Sequence, residues 1–198
     1  LSPSDAKSGE LWLVRHGETE WSKSGQHTGR TDVPLTETGR EQAKALGELL
    51  GGHEFARVLT SPLSRATDTC RLAGYGDRAE VTDDLREWDY GDYEGEKTVD
   101  IRKSRPGWTI WSGDVPAGET AEQVAARAQR VIDRTSTAGG DVALFAHGHV
   151  LRVLAATWLG LPPGSGRLFA LGTATLSVLG HERETRVISL WNRPAHMS

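Results

Sequence analysis

One cysteine, Cys70, stands alone in 198 residues. It closes no internal disulfide and builds no cysteine-based metal cluster, which suits a reducing cytoplasm. Cys70 lies in a stretch with helical patterning, where a small buried apolar side chain is the fitting role. No run of 18 apolar residues occurs, so no conventional membrane-spanning helix is predicted. Residues 1–9, LSPSDAKSG, hold no apolar segment of the signal-peptide kind. The chain opens on Leu1 rather than Met, so its native start is not read from it. A basic surplus is also lacking: 23 Lys and Arg against 27 Asp and Glu give a net charge of −4. That argues against a broad nucleic-acid-binding surface and leaves room for a small positive pocket. Repeats and low-complexity linkers are missing too. Hydrophobic residues make up 37% and charged residues 25%, the balance of a soluble globular chain with ample core material.

The apolar run Leu11–Val14 ends on Arg15-His16-Gly17. Two cationic or titratable groups are poor core material at the end of a buried strand. A glycine-punctuated loop, 17–35, follows. Thr36 is a fitting N-cap for a helix over 37–50, with Ala43, Leu46 and Leu50 at helical spacing and Gly51-Gly52 as the stop. ARVLT, 56–60, reads as a short buried strand. Ser61 and Pro62 then read as N-cap and first helical residue of a helix reaching about Ala73. Thr120 and Gln123 form a capping-box pattern, and Val124, Ala128, Val131 and Ile132 mark one helical face. A strand over 141–146 leads to His147-Gly148-His149 and another apolar helix. Two β-like stretches, about 173–179 and 185–191, close the chain.

Strands alternating with helices predict an α/β fold with a mainly parallel sheet. Ligands then bind outside the carboxyl ends of the strands. Arg15-His16, Arg65 and His147 all fall at such ends. Residues about 85–118 are irregular and aromatic-rich and read as a cap on a single domain spanning 1–198. Pro162–Arg167 lacks the phosphate-loop spacing and reads as a turn. His27 and His181 read as ordinary surface residues.

Arg15 and Arg65 offer planar donor forks that match phosphate oxygens. Arg65 falls in the first turn of its helix, where free N–H groups also favour an anion. A neutral histidine beside them can act as a nucleophile. Phosphoryl transfer needs little beyond positioning and charge compensation, so the set suggests a phosphohistidine intermediate. Departure of an alkoxide needs a proton, which a carboxyl can supply. The stretch DDLREWDYGDYEG, 83–95, offers six carboxyls, and spacing alone does not choose among them. His147 and His149 have the form of a metal-ligand pair but lack nearby carboxylate or cysteine partners.

Arg15-His16-Gly17-Glu18-Thr19, Ser61-Pro62-Leu63-Ser64-Arg65, Leu85–Gly95 and Ala146-His147-Gly148-His149 together resemble the histidine phosphatase superfamily, over about residues 10–191. The resemblance implies a three-layer sandwich with a mainly parallel central sheet flanked by helices. It implies that His16 is the nucleophile and that Glu87 is the acid and base. Arg15, Arg65 and His147 then cradle the phosphoryl group. Thr28, Gly29 and Gly148 fall near the phosphate, and Ser22, Tyr90, His149 and Arg152 on the substrate side. No metal or organic cofactor is implied.

Phosphoglycerate mutases of this superfamily usually carry Asn where this chain has Ser22 and His149. They also insert a longer basic segment after the glutamate motif. The short form here, with Lys97, Arg102, Lys103 and Arg105, resembles the phosphatase branch, in particular acid phosphatases and a sedoheptulose bisphosphatase. The expected partner is therefore a small phosphate ester. Neither nucleic acid nor membrane is expected. Apolar residues near the chain end would suit a homodimer. Two rival readings are a primer-dependent mutase and a phospho-ligand binding protein of low turnover.

Overall fold

The computed structural model describes residues 9–195. The sequence reading of the N-terminal stretch therefore lies outside the described residues except at its last position. Six strands form one sheet in the order β3-β2-β4-β1-β5-β6. They are β1 (Leu11–Arg15), β2 (Arg57–Thr60), β3 (Ala79–Val81), β4 (Val142–Ala146), β5 (Thr175–Glu182) and β6 (Thr185–Pro194). β1, β4, β2 and β3 run parallel, while β5 pairs antiparallel with both β1 and β6. The sheet is mixed, with the parallel part carrying the motif-bearing strand ends. Strand β4, buried at all five residues, sits between β1 and β2, as a strand covered on both faces must.

Alternate residues of the central strands face two separate cores. Leu13 and Leu144 join Val131, Ile132, Leu151 and Leu154 on one side. Val14, Phe145 and Val58 join Leu46, Leu50 and Cys70 on the other. The first side belongs to helices α5 (Ala121–Thr135) and α6 (Gly148–Trp158), the second to α2 (Glu37–Leu50) and α3 (Ser64–Leu72). The layers are thus helix, sheet, helix. Burial pushes the Cys70 thiol up to about 12, so it packs as a small apolar group.

Thr36 caps α2 by accepting the Gly39 N–H, and Thr120 with Gln123 closes a full capping box on α5. Other expectations need correction. The helix after β2 starts at Ser64, not at Ser61-Pro62; Leu63 is its N-cap position. Ser61 stays outside because its hydroxyl is drawn to His147. The loop 17–35 contains α1 (Glu20–Ser24), closed by a capping box between Thr19 and Ser22. The segment 85–118 is only partly irregular, since it holds α4 (Thr98–Ser104) and a 3-10 turn at Gly91–Tyr93. Pro163–Leu168 is likewise a 3-10 helix. His27 is buried rather than a surface residue, and His181 is half-buried with its ring edge-on to Trp158.

Candidate active site

The parallel order brings the carboxyl ends of β1, β4 and β2 side by side. His16 follows β1 and is 5% exposed; His147 follows β4 and is fully buried. Their ring centroids lie 5.2 Å apart. The His16 Nδ1–H donates to the Gly17 carbonyl at 2.7 Å, which fixes the tautomer and leaves Nε2 with its lone pair. Burial, and then the charges of Arg15 and Arg65, push the His16 pKa well below the ordinary value. At neutral pH the ring is unprotonated.

Arg15 donates from Nη1 to the Leu171 carbonyl at 2.5 Å. Its buried Nε has no protein partner. Such an orphaned cationic donor is costly unless something anionic receives it. Gly148 is what admits this guanidinium: a Cβ there would lie 3.2 Å from Arg15 Cζ. Burial lowers the pKa of Arg15, with Glu87 opposing that shift.

Arg65 is differently employed. It is fully buried. Nη2 donates to the carbonyls of Thr28 and Gly29, Nη1 to that of Thr31, and Nε to His147 Nδ1. Four of its five donors are spent on the protein, so it acts mainly as a fixed charge that ties the 28–31 loop to the site. The first turn of α3 is not an open anion site either. Its Ser64 N–H and hydroxyl both donate to Asp32. Because His147 Nδ1 accepts from Arg65, its Nε2–H donates to Ser61 Oγ at 2.7 Å. Burial, then Arg65 and His16, hold His147 neutral. Ser61 is thus a member of the site that helix-start reasoning mistook for a cap.

Glu87 is 8% exposed and lies across from these groups. Its Oε1 accepts N–H bonds from Trp88 and Val150, and its Oε2 accepts one from His149. The N-terminus of α6 therefore receives a carboxylate from a distant segment, Oε2 accepting one N–H and Oε1 two. Glu87 also lies close enough to offset the effect of burial on Arg65. Beside it, Tyr90 donates from its hydroxyl to His149 Nδ1 at 2.5 Å. Burial, then the Glu87 charge, raise the Tyr90 phenol well above its ordinary value, so it keeps its proton. His149 is held neutral by burial and then by Arg152. Its Nε2–H is left for another acceptor. Arg152 stacks over Trp111 at 4.5 Å and donates to the Gly166 carbonyl. His27 packs against Tyr90 and Trp108 and bonds to Thr98.

Gly29 crosses so close to the Glu87 segment that a Cβ would lie 2.7 Å from the Trp88 carbonyl. Its N–H donates to Glu94. Thr28 enters through its carbonyl, its hydroxyl being turned to Gln26. Ser22 is the predicted member left apart. Its hydroxyl accepts from Thr19 N–H and donates to the Thr19 carbonyl, inside the α1 cap. Among the described residues, no cluster of three or more His, Cys, Asp or Glu side chains could hold a metal ion.

The model of the histidine phosphatase superfamily (branch 1) matches residues 11–194, which hold this buried neutral histidine, its two arginines and the facing carboxyl. The chain belongs to this superfamily. It is 43% identical over 190 residues to an acid phosphatase of Mycobacterium tuberculosis, covering 94% of this chain and 93% of that one. It is 41% identical over 181 residues to sedoheptulose 1,7-bisphosphatase of Saccharomyces cerevisiae, covering 75% and 67%. A solved structure of a Mycobacterium tuberculosis open reading frame superposes with a TM-score of 0.91 at 41% identity, covering 96% of this chain and 100% of that one. In this histidine phosphatase the four motifs meet at one end of the sheet. No helix among the described residues is long and apolar enough to cross a membrane.

Proposed function

We propose that this histidine phosphatase hydrolyses the phosphate monoester of a small hydroxylated metabolite, of the sugar-phosphate class, with His16 as nucleophile and Glu87 as acid and base. That the chain is a phosphoric monoester hydrolase follows from its superfamily and its phosphatase relatives. The observation that supports the mechanism is the His16 ring. Its Nδ1–H is held by Gly17, which leaves Nε2 its lone pair, and the charge of Arg15, whose buried Nε lacks a protein partner, acts on the ring.

In the first step the Nε2 lone pair forms a bond to phosphorus. The bond from phosphorus to the alcohol oxygen breaks, and that oxygen takes the proton of Glu87. Arg15 and Arg65 offset charge on the equatorial oxygens. In the second step a water oxygen attacks phosphorus while the Glu87 carboxylate takes its proton. The N–P bond breaks, its electron pair returns to Nε2, and phosphate leaves. Both steps balance with no metal or organic cofactor. Thr28, Gly29 and Gly148 shape the phosphate side. Tyr90, His149 and Arg152 line the leaving-group side. Ser22, through the α1 cap, supports the loop that carries Thr28 and Gly29. We read residues 1–198 as one catalytic domain with 85–118 as its cap, and the lone buried Cys70 as fitting a cytoplasmic setting.

The test is phosphate release, with EDTA present, from sugar phosphates, phosphoglycerates and an aryl phosphate. Release from a sugar phosphate is expected. Phosphoglycerate interconversion that needs a bisphosphate primer, with no phosphate released from any substrate, would overturn the reading.

A further inference from the structure

Arg127 lies on α5, outside the cluster described above, and its side chain is 13% exposed. Surface arginines that meet a carboxylate usually contribute little. This one has all five donors engaged. Nε and Nη2 donate to the two carboxylate oxygens of Glu119 at 2.7 and 2.8 Å. Nη1 donates to the carbonyls of Asp84 and Arg86, and Nη2 also to that of Glu87. Glu119 completes the tie. It accepts the Asp89 N–H on Oε2 and the Trp88 indole N–H on its carbonyl, and its own N–H donates to the Asp89 carbonyl. Burial would raise the Glu119 carboxyl, but the Arg127 and Asp89 hydrogen bonds outweigh it and hold the group below its ordinary value.

Between them the two side chains bond to residues 84, 86, 87 and 89, and the Glu119 carbonyl to the Trp88 indole. This segment has no strand ladder of its own. A cavity of about 430 Å³ opens against it, lined by Glu87 itself, Gly29, Leu63, Arg86, Glu119 and Arg127. Apart from Glu87, its charged walls are paired with one another, as Arg86–Asp83, Arg30–Asp89 and Arg127–Glu119. Where the cavity runs, the segment is held by its hydrogen bonds to Arg127 and Glu119.

We infer that Arg127, clamped by Glu119, is a positioning residue that holds the Glu87 carboxyl at the leaving-group oxygen. The inference rests on the reading of Glu87 as the acid. Its mark is selectivity for the leaving group. An alkoxide needs the proton, whereas an aryl oxide leaves without it. The value of kcat/KM reports the first phosphoryl transfer. Arg127→Gln is therefore expected to lower kcat/KM for an alkyl phosphate at least about tenfold more than for an aryl phosphate. Arg127→Lys, which keeps a cation, should recover part of the loss. Glu87→Gln in the same assay separates the two ideas. If Glu87→Gln shows the selective loss and neither Arg127 variant does, the positioning role is overturned and the acid stands. If Glu87→Gln itself shows none, the acid reading fails and the inference falls with it. Should Arg127→Gln not fold, the comparison is read from Arg127→Lys, where equal change on both substrates overturns the role.

Discussion

His16 and His147 stand on the ends of neighbouring parallel strands, while Glu87 stands on a segment that no strand supports. The phosphate wall is positioned by the sheet itself. The β1–β4 register places Arg15 opposite Ala146, so the residues one step beyond must meet. The leaving-group wall is positioned by side chains reaching backbone: three N–H groups on the Glu87 carboxyl, and three Arg127 donors on the segment behind it, with its other two on Glu119. On the proposed function, the first wall would receive the group common to every substrate and rests on strand ends. The second would meet what differs between substrates and rests on a few polar contacts. Loops carried by a rigid scaffold are where such variation is tolerated.

Breaking the phosphate wall gives the largest effect. His16→Ala should lower turnover at least about 10⁴-fold on alkyl and aryl phosphates alike, because it removes the bond-forming atom. Steady-state rates on the two substrates check this.

Acid should unfold the molecule through both walls together. His16, His147 and His149 all have pKa values pushed well below 6.5. Below that unfolded value the unfolded chain binds protons that the native state refuses. The stabilisation is therefore complete above about pH 6.5 and is lost as pH falls toward the depressed folded values. Three such groups give a slope of up to about 4 kcal/mol per pH unit. Urea unfolding from pH 7.5 to 5 measures it, and His149→Asn should remove one proton from the slope.

The smallest effect isolates the leaving-group wall. Tyr90→Phe deletes the bond to His149 Nδ1, with an expected cost of about 1 kcal/mol in binding or orientation. That corresponds to roughly fivefold in KM for a sugar phosphate, with little change for an aryl phosphate. Parallel KM measurements read the difference.

The same contrast explains what could be read before the fold was known. Buried strands ending on Arg15-His16 and on His147 are visible as apolar runs broken by cationic or titratable residues. Helices α2 and α5 announce themselves through Thr36, Thr120 and Gln123. The helix start at Ser64 was misplaced because Ser61 spends its hydroxyl on His147, 86 residues away. Helix α1 is five residues long and held by one local capping box, too short for periodicity to register. Strand β3 has three residues and pairs only with β2. The burial of His27 comes from Tyr90 and Trp108 folding over it, a contact between segments that no spacing records. Among six carboxyls in 83–95, Glu87 is singled out structurally by the α6 N-terminus, which the local sequence does not reveal.

The central claim is that phosphate passes through His16 Nε2. Glu87→Gln offers the direct view of it. With an aryl phosphate the first transfer needs no acid, while the second lacks its base, so the intermediate should accumulate. Rapid quench at alkaline pH and peptide mass analysis should then find one phosphoryl group on His16, with a burst of aryl alcohol matching the enzyme concentration. Continued phosphate release with His16 unmodified and no burst would contradict the account.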